Sequence, residues 1–158
     1  MFSKLPDTLE EFKSLPQAAM ATPFDAAAMT VLALCFYPKD KDLSLAMLDF
    51  LRGPRPMSGM DKQNIADRLR SKDYVPRSYF KGATPQNDYT PSEPYTITVS
   101  ENSYSYEAEG IAKLFIPSGG ADSPRPIQLR KAKDGKWYLW EQLLLADIRQ
   151  PESSNPWA

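Results

Sequence analysis

A clear alternation of hydrophobic and polar positions lies in residues 126–145, on both sides of Asp134-Gly135. Asp-Gly is a favoured centre for a two-residue type I′ turn, because that turn needs positive φ at both central positions. The alternation therefore predicts a β-hairpin in which Leu129 faces Trp140 across the strands. Since side chains alternate between the two faces of a strand, one apolar face is expected to point toward the core. Its members are Ile127, Leu129, Tyr138 and Trp140.

Two more strands are predicted before the hairpin. Residues 95–99 alternate between apolar and threonine positions, and a long second run follows a turn at Glu101-Asn102-Ser103. Gly110 within that run indicates a bulge or bend. Because sequential strands usually lie side by side, the sheet is expected to be an antiparallel meander. Its four predicted strands span residues 95–99, 104–116, 126–132 and 137–144.

Helical spacing and capping signals predict a helical region ahead of the sheet. Thr8 followed by Glu11 is a capping-box pattern, and Thr22-Pro23 suits the start of a second helix. That second helix is apolar nearly all round, so we expect it to be the central, buried helix. The predicted helices span residues 9–15, 23–36, 43–52 and 59–71. The fold class is therefore α+β, with N-terminal helices packed on an antiparallel sheet.

At 158 residues the chain is expected to form a single domain, residues 1–158, with a real hydrophobic core. Its expected segments are a helical region over residues 1–72, a loop 73–94, a sheet 95–145 and a tail 146–158. The loop has no hydrophobic periodicity but carries several aromatic side chains, so it is expected to pack over the surface as a crossover. The alternative is a lid or peptide-binding edge, with Arg77, Tyr79 and Lys81 as its polar contacts.

Composition excludes several classes of function. The chain has one cysteine, Cys35, and no histidine, so an internal disulfide, a histidine-dependent triad and a histidine-ligated metal are all ruled out. No cofactor and no metal site are expected, and Cys35 is expected to be a small buried hydrophobe. The lone cysteine and an N-terminus without an apolar signal segment favour a cytoplasmic location.

Charge and hydropathy argue against two kinds of partner. With a net charge of −1, the chain has no strong positive field that would attract nucleic acid. The most apolar run, residues 26–36, is too short for a membrane span, which needs about 20 residues. We therefore expect no nucleic-acid partner and no membrane partner.

A glycine-rich connection before the hairpin is a candidate anion-binding loop, since backbone N–H groups and a guanidinium can hold an anion there. Its candidate residues are Ser118, Gly119, Gly120, Ser123 and Arg125. The alternative is an irregular loop with Arg125 paired to an acid such as Asp122. Near the end of the sequence, Trp157 is expected either to fold back onto the sheet or to anchor a partner.

Four phrases carry a resemblance to a known family: LDFLRGPRPMS at 48–58, RSYFKGATPQNDYTP at 77–91, GGADSPRPIQLR at 119–130 and GKWYLWEQLLLADIRQP at 135–151. Together they resemble a family of uncharacterised bacterial proteins, a domain of unknown function found mostly in Firmicutes. The resemblance implies a bacterial, cytoplasmic protein and brings no activity or site with it. At the level of fold, the element order is similar to the nuclear-transport-factor-2-like and cystatin-like α+β rolls.

Two functional hypotheses follow. The first is a non-enzymatic binding or interaction domain with an unknown protein partner, and self-association into a homo-oligomer is compatible with it. The second is a small-ligand pocket protein or a carboxylate-dependent enzyme, in which Glu107, Glu109 or Glu141 acts as acid or base if buried. The second hypothesis requires a pocket of several hundred Å³ lined by one of these acids.

Overall fold

A computed structural model describes residues 2–157 and confirms the α+β class. Five helices are present in this range: α1 Leu9–Ser14, α2 Pro23–Cys35, α3 Lys41–Arg52, α4 Gly59–Leu69 and α5 Tyr74–Arg77. Three strands follow: β1 Ile111–Ile116, β2 Arg125–Lys131 and β3 Trp137–Gln142. Short 3-10 turns lie at Pro16–Ala19, Pro85–Asn87 and Glu152–Ser154. The first four helices match the predicted ones to within a few residues, whereas α5 lies inside the predicted loop.

The first four helices begin at side chains that cap free backbone N–H groups. Thr8, Thr22, Asp40 and Ser58 each accept a hydrogen bond from the N–H three residues later. Such a cap stabilises a helix by about 1 kcal/mol. The capping signals read from the sequence at Thr8 and Thr22 therefore mark where α1 and α2 start.

Helix α2 is the centre of the core, as its apolar sequence predicts. It contacts α3, α5 and all three strands, and nine of its residues are buried. The core around it draws Phe12 from α1, Met47 from α3 and Leu114 from β1. One face of the sheet is thus covered by helices.

The prediction of a four-stranded sheet is wrong for the described residues, which form three antiparallel strands in the order β1-β2-β3. Residues 95–99 form no ladder; isolated bridges join Phe2 to Tyr95 and Ser100 to Phe115. The predicted strand 104–116 begins only at Ile111, because residues 104–110 fold into turns and Gly110 takes φ +74. Alternation alone does not make a strand where no partner backbone runs alongside.

The predicted register of the hairpin is also wrong, by one residue. Ala132 and Lys136 bond across a three-residue loop, with Ala132 N–H donating to the Lys136 carbonyl at 2.8 Å. Within that loop only Gly135 has a positive φ, +85, whereas a type I′ turn needs two such residues. The extra loop residue pairs Leu129 with Leu139 instead of Trp140.

A shift of one residue exchanges the two faces of a strand. Leu139 is therefore buried in the core, whereas Trp140 is half-buried outside it and Tyr138 is half-buried at its edge. A bulge follows at once, since Leu129 pairs with Leu139 but Gln128 pairs with Glu141. Trp140 is the unpaired residue of this bulge, so it stands outside the regular ladder.

The segment predicted as the loop 73–94 packs against the core. Tyr79, Phe80 and Tyr89 are buried, and the rings of Tyr74 and Tyr89 stack with centroids 5.4 Å apart. The Tyr89 hydroxyl donates to the Arg149 carbonyl, which ties this segment to the tail. The arrangement fits a crossover between the helical region and the sheet.

None of the helices formed by residues 2–157 is both long enough and apolar enough to cross a membrane.

Candidate functional site: a basic groove beside Trp140

Two adjoining cavities lie between β3 and the loop that follows α3. Their volumes are about 530 and 420 Å³. They share four lining residues: Arg52, Arg55, Leu139 and Trp140. We call the two cavities together the basic groove; the larger is the first cavity and the smaller is the second cavity.

Hydrogen bonds fix the loop at residues 53–58 on one side of the groove. The Asp49 carboxylate accepts the Met57 N–H at 2.9 Å, and Arg52 Nε donates to the Arg55 carbonyl at 3.0 Å. Gly53 ends α3 with φ +57 and packs so closely on Tyr138 that a Cβ there would lie 2.3 Å from a ring atom. The loop backbone is therefore held against β3.

The first turn of α4 supplies the acid that pairs with the groove's innermost arginine. Ser58 and Asp61 form a capping box, and Arg52 Nη2 lies 3.3 Å from Asp61 Oδ2. Hydrogen bonds from Ser58, the backbone one above all, lower the pKa of Asp61 against the opposing effect of desolvation, and the charges of Arg52 and Arg55 add to the lowering. Arg52 is thus neutralised within the fold.

Two other arginines lie over the ring of Trp140. The guanidinium carbon of Arg55 is 3.7 Å from the ring centre, and that of Arg130 is 4.4 Å from it. Arg55 Nη2 also donates to the Trp140 carbonyl at 2.5 Å. Among residues 2–157, neither guanidinium has a carboxylate oxygen within 4.0 Å.

The charge of the groove is concentrated in the second cavity. Its lining carries five basic side chains and no acidic one: Arg52, Arg55, Arg130, Lys131 and Lys133. This concentration occurs in a chain whose net charge is −1. Guanidiniums that have no carboxylate in contact favour binding of an anion, to which Arg presents paired N–H donors.

The first cavity has a mixed lining. Its apolar walls include Leu34, Leu48 and Ile65, and Leu143 lines it while 61% exposed. Polar side chains line it as well: Asp61, Asn64, Glu141 and Gln142. An exposed leucine beside an open cavity is a contact for an apolar group of a ligand. The groove therefore offers an apolar part and a cationic part next to each other.

The predicted anion-binding loop is occupied by internal hydrogen bonds. Gly119 N–H donates to the Ser78 carbonyl at 2.9 Å, and the Ser118 hydroxyl donates to the Ser78 hydroxyl at 2.7 Å. Gly120 N–H donates to Ser118 Oγ at 3.1 Å. A Cβ on Gly119 would lie 1.9 Å from the Ala83 carbonyl oxygen, so this glycine allows two chain segments to approach closely.

Arg125 is bonded to the chain as well, though not to the acid that was expected. Its Nη2 donates to the Asp147 carbonyl at 2.9 Å, and its Nη1 lies 3.4 Å from the Ser123 carbonyl. Asp122 pairs instead with Arg149 at 3.0 Å. The expected pair of Arg125 with Asp122 is wrong.

Arg77 and Tyr79 of the predicted loop also bond to backbone carbonyls. Arg77 Nη2 donates to the Asp88 carbonyl at 3.3 Å, and the buried Tyr79 hydroxyl donates to the Leu144 carbonyl. Burial raises the pKa of Tyr79. A ligand-binding role for Arg77, Tyr79 and the loop at 118–125 stays a prediction.

The remaining candidates divide by exposure. Glu141 lines the first cavity but is exposed, and Glu107 and Glu109 lie in exposed turns outside the groove. Cys35 is half-buried instead of fully buried as predicted. Desolvation nevertheless raises the pKa of its thiol to about 12, which is typical of an inert cysteine. Trp157 is 91% exposed and does not fold back onto the sheet. Within residues 2–157 no three His, Cys, Asp or Glu side chains group as a metal site.

The sequence interpretation missed the groove and its central residues Arg55, Arg130 and Trp140. The predicted register differs by one residue from the observed one, and this difference placed Trp140 in the core. The available signal was the Arg52-Gly53-Pro54-Arg55-Pro56 run, which places two arginines in a rigid turn after a helix.

These features define an α+β domain with a three-stranded antiparallel sheet and a basic, aromatic groove on one side. A family model described as "Domain of unknown function (DUF6935)" matches residues 4–152. The chain belongs to this family, in agreement with the resemblance seen in its sequence. No curated protein and no solved structure matches the chain. A Firmicutes source and the likeness to nuclear-transport-factor-2-like rolls stay predictions.

Proposed function

We propose that this protein is a non-enzymatic interaction domain that binds an acidic peptide segment with a large apolar side chain. The binding site is the basic groove. The single observation that carries the proposal is the placement of Arg55 and Arg130 over Trp140 without a carboxylate partner. An acidic side chain of the ligand pairs with a guanidinium that has no carboxylate partner among the described residues.

The two cavities explain why the ligand is an extended segment. The second cavity is lined by five basic side chains, whereas the first adds the exposed Leu143 and apolar wall residues among polar ones. A ligand that fills both carries its anionic and apolar groups side by side, as neighbouring residues of a peptide do. Large apolar side chains in pockets and arginine contacts are the main sources of affinity in such interfaces.

A binding role suits these residues better than acid–base catalysis. Of the three candidate acids, Glu141 alone lines the groove, and its exposure leaves it solvated. The thiol of Cys35 is protonated at neutral pH. The groove thus has recognition groups and lacks a tuned nucleophile or base among the described residues.

We also propose that the chain forms a single domain and that it is located in the cytoplasm. One connected core joins buried residues from Phe2 to Ile148, which supports a single domain. The lone cysteine supports a cytoplasmic location.

A peptide titration tests the proposal. The probe is an amidated peptide of two glutamates followed by phenylalanine and leucine, added to ¹⁵N-labelled protein while the indole N–H signals are recorded. The Trp140 signal, assigned with the variant Trp140→Phe, is expected to move on addition of this peptide. A peptide with lysines in place of the glutamates serves as the charge control and is expected to leave the signal unmoved.

Two double variants locate the effect. R55A/R130A is expected to abolish the movement of the Trp140 signal. R68A/R70A removes two exposed arginines of the α4 region and is expected to behave like the native protein. Equal responses to the acidic and basic peptides contradict the proposal, and so does an unmoved Trp140 signal with both peptides in a folded protein whose groove is free.

A further inference from the structure

A second charged surface of the chain lies in residues 101–110, which we call the acidic turn. It contains Glu101, Glu107 and Glu109 and has no Lys or Arg. Two aromatic side chains project from it: Tyr104 is 68% exposed and Tyr106 is 49% exposed. Large exposed aromatic side chains next to each other mark an interaction surface.

Hydrogen bonds give the acidic turn a defined shape. Asn102 N–H donates to Ser105 Oγ at 2.9 Å, and Lys113 N–H donates to the Ser105 carbonyl at 2.8 Å. Ser105 is buried beneath the turn. The interaction with the Glu101 carboxylate raises the pKa of Tyr106 to about 12. The turn is therefore ordered on the surface before any partner binds, which lowers the entropic cost of docking.

The chemistry of the acidic turn matches the requirements of the basic groove. It offers carboxylates next to large apolar rings, and the groove offers guanidiniums next to apolar walls. The turn nevertheless supplies no residue to the lining of either cavity in its own chain. Its complement is the groove of another copy.

The two surfaces are neighbours at one end of the sheet. The Gly110 carbonyl, at the end of the acidic turn, accepts the N–H of Lys131 at 2.8 Å. Ile111 pairs with Arg130 in the sheet, and Arg130 and Lys131 both line the second cavity. Because the surfaces are adjacent, a two-fold axis between them lets both chains make the same contact at once.

We infer that two copies of this chain form a two-fold homodimer in which the acidic turn of each copy enters the basic groove of the other. The inference rests on the proposed function, because it names one acidic, aromatic segment that the groove binds. The contact is electrostatic in large part, so it weakens as salt screens the charges.

Sedimentation equilibrium with charge reversals tests the inference. The native protein is expected to be a dimer at about 0.01 M salt, where the Debye length is about 30 Å, and to dissociate toward about 1 M salt, where it is about 3 Å. E107K/E109K and K131E/K133E are each expected to be monomeric, because each replaces opposite charges by like charges at two positions of both contacts. An equimolar mixture of the two variants is expected to form a dimer again, since the reversed positions of one variant carry charges opposite to the reversed positions of the other.

A matched variant controls for net charge. K41E/K72E makes the same change of charge as K131E/K133E at exposed positions outside the groove, and it is expected to remain dimeric. Circular dichroism of each variant checks that it is folded.

Three results overturn the inference: a native protein that is monomeric up to about 1 mM, a dimer that persists in both reversal variants, or a mixture that does not associate. The acidic peptide separates this failure from a failure of the proposed function. If the native protein is monomeric yet the peptide moves its Trp140 signal, the dimer is refuted and the proposed function holds. If the peptide does not move the signal in folded, monomeric E107K/E109K, whose groove is intact and free, both are refuted.

Discussion

The guanidinium carbon of Arg55 lies 3.7 Å from the centre of the Trp140 ring, and the same guanidinium donates to the Trp140 backbone carbonyl at 2.5 Å. One arginine thus contacts both the side chain and the backbone of the residue at the bulge of β3. The bulge holds the ring outside the ladder, and the fixed loop 53–58 brings the arginine to it. The groove depends on both the bulge of β3 and the fixed loop 53–58.

Gly53→Ala is predicted to destabilise the fold by about 2–4 kcal/mol. Gly53 has φ +57, and a Cβ there would lie 2.3 Å from the Tyr138 ring. Urea unfolding of native and variant protein measures the difference. Gly59→Ala is the matched control, because a Cβ at Gly59 meets nothing within 4 Å. Equal midpoints for the two variants would show that the loop does not pack on Tyr138 as described.

Leu139→Ala is predicted to cost about 2–5 kcal/mol, the range for truncating a buried leucine. Trp140→Ala is predicted to cost less, although its side chain is larger, because Leu139 is buried in the core and Trp140 is half-buried outside it. Chemical denaturation of both variants gives the comparison. A larger loss of stability for Trp140→Ala than for Leu139→Ala would instead support the register that places Trp140 in the core.

Asp61→Asn is predicted to lower stability near neutral pH and to have a smaller effect in acid. The pKa of Asp61 is lowered in the folded protein. The ionised carboxylate therefore contributes stability above the unfolded pKa of about 3.9, and that contribution is lost as the pH falls through the folded pKa. Unfolding free energies of native and variant protein from pH 2 to 7 give the profile. A difference that is constant with pH would contradict the role assigned to the charge.

Tyr79→Phe is predicted to cost about 1–3 kcal/mol, since it leaves the buried Leu144 carbonyl without its donor. The native protein is also predicted to lose stability above about pH 10, the unfolded pKa of tyrosine. Burial raises the pKa of Tyr79 in the folded state, so the unfolded chain releases that proton first. Unfolding free energies at pH 8 and pH 11 check this. If native protein and Y79F lost the same unfolding free energy between pH 8 and pH 11, the loss would have to come from groups other than Tyr79.

Local signals in the sequence were sufficient to predict where the helices lie. Thr8 and Thr22-Pro23 are start signals that act within one turn of a helix, and the structure has helices at both places. Caps and periodicity are short-range, so they can be read without knowing what packs nearby.

The sheet depended on information that is not local. Asp134-Gly135 is compatible with a two-residue and a three-residue loop, and that difference alone moved Trp140 from the core to the surface. Residues 95–99 alternate like a strand, yet their backbone meets no continuous partner. Pairing between strands is decided by tertiary packing, which an alternating pattern does not specify.

The candidate site could not be predicted from the sequence for the same reason. Arg55 and Trp140 are 85 positions apart, and their contact requires the loop conformation, the register and the bulge together. The glycine-rich connection, which looked like an anion site, has its donors bonded to Ser78 and its neighbours.

The most direct measurement of the central claim is the dissociation constant of the acidic peptide, by calorimetry, for native protein, R55A/R130A and R68A/R70A. Hydrogen bonds to charged groups contribute about 1.5–3 kcal/mol each, so R55A/R130A is predicted to bind at least about tenfold more weakly than the native protein. R68A/R70A is predicted to bind like the native protein. An unchanged affinity in R55A/R130A, or an equal loss in both double variants, would contradict the assignment of the groove as the binding site.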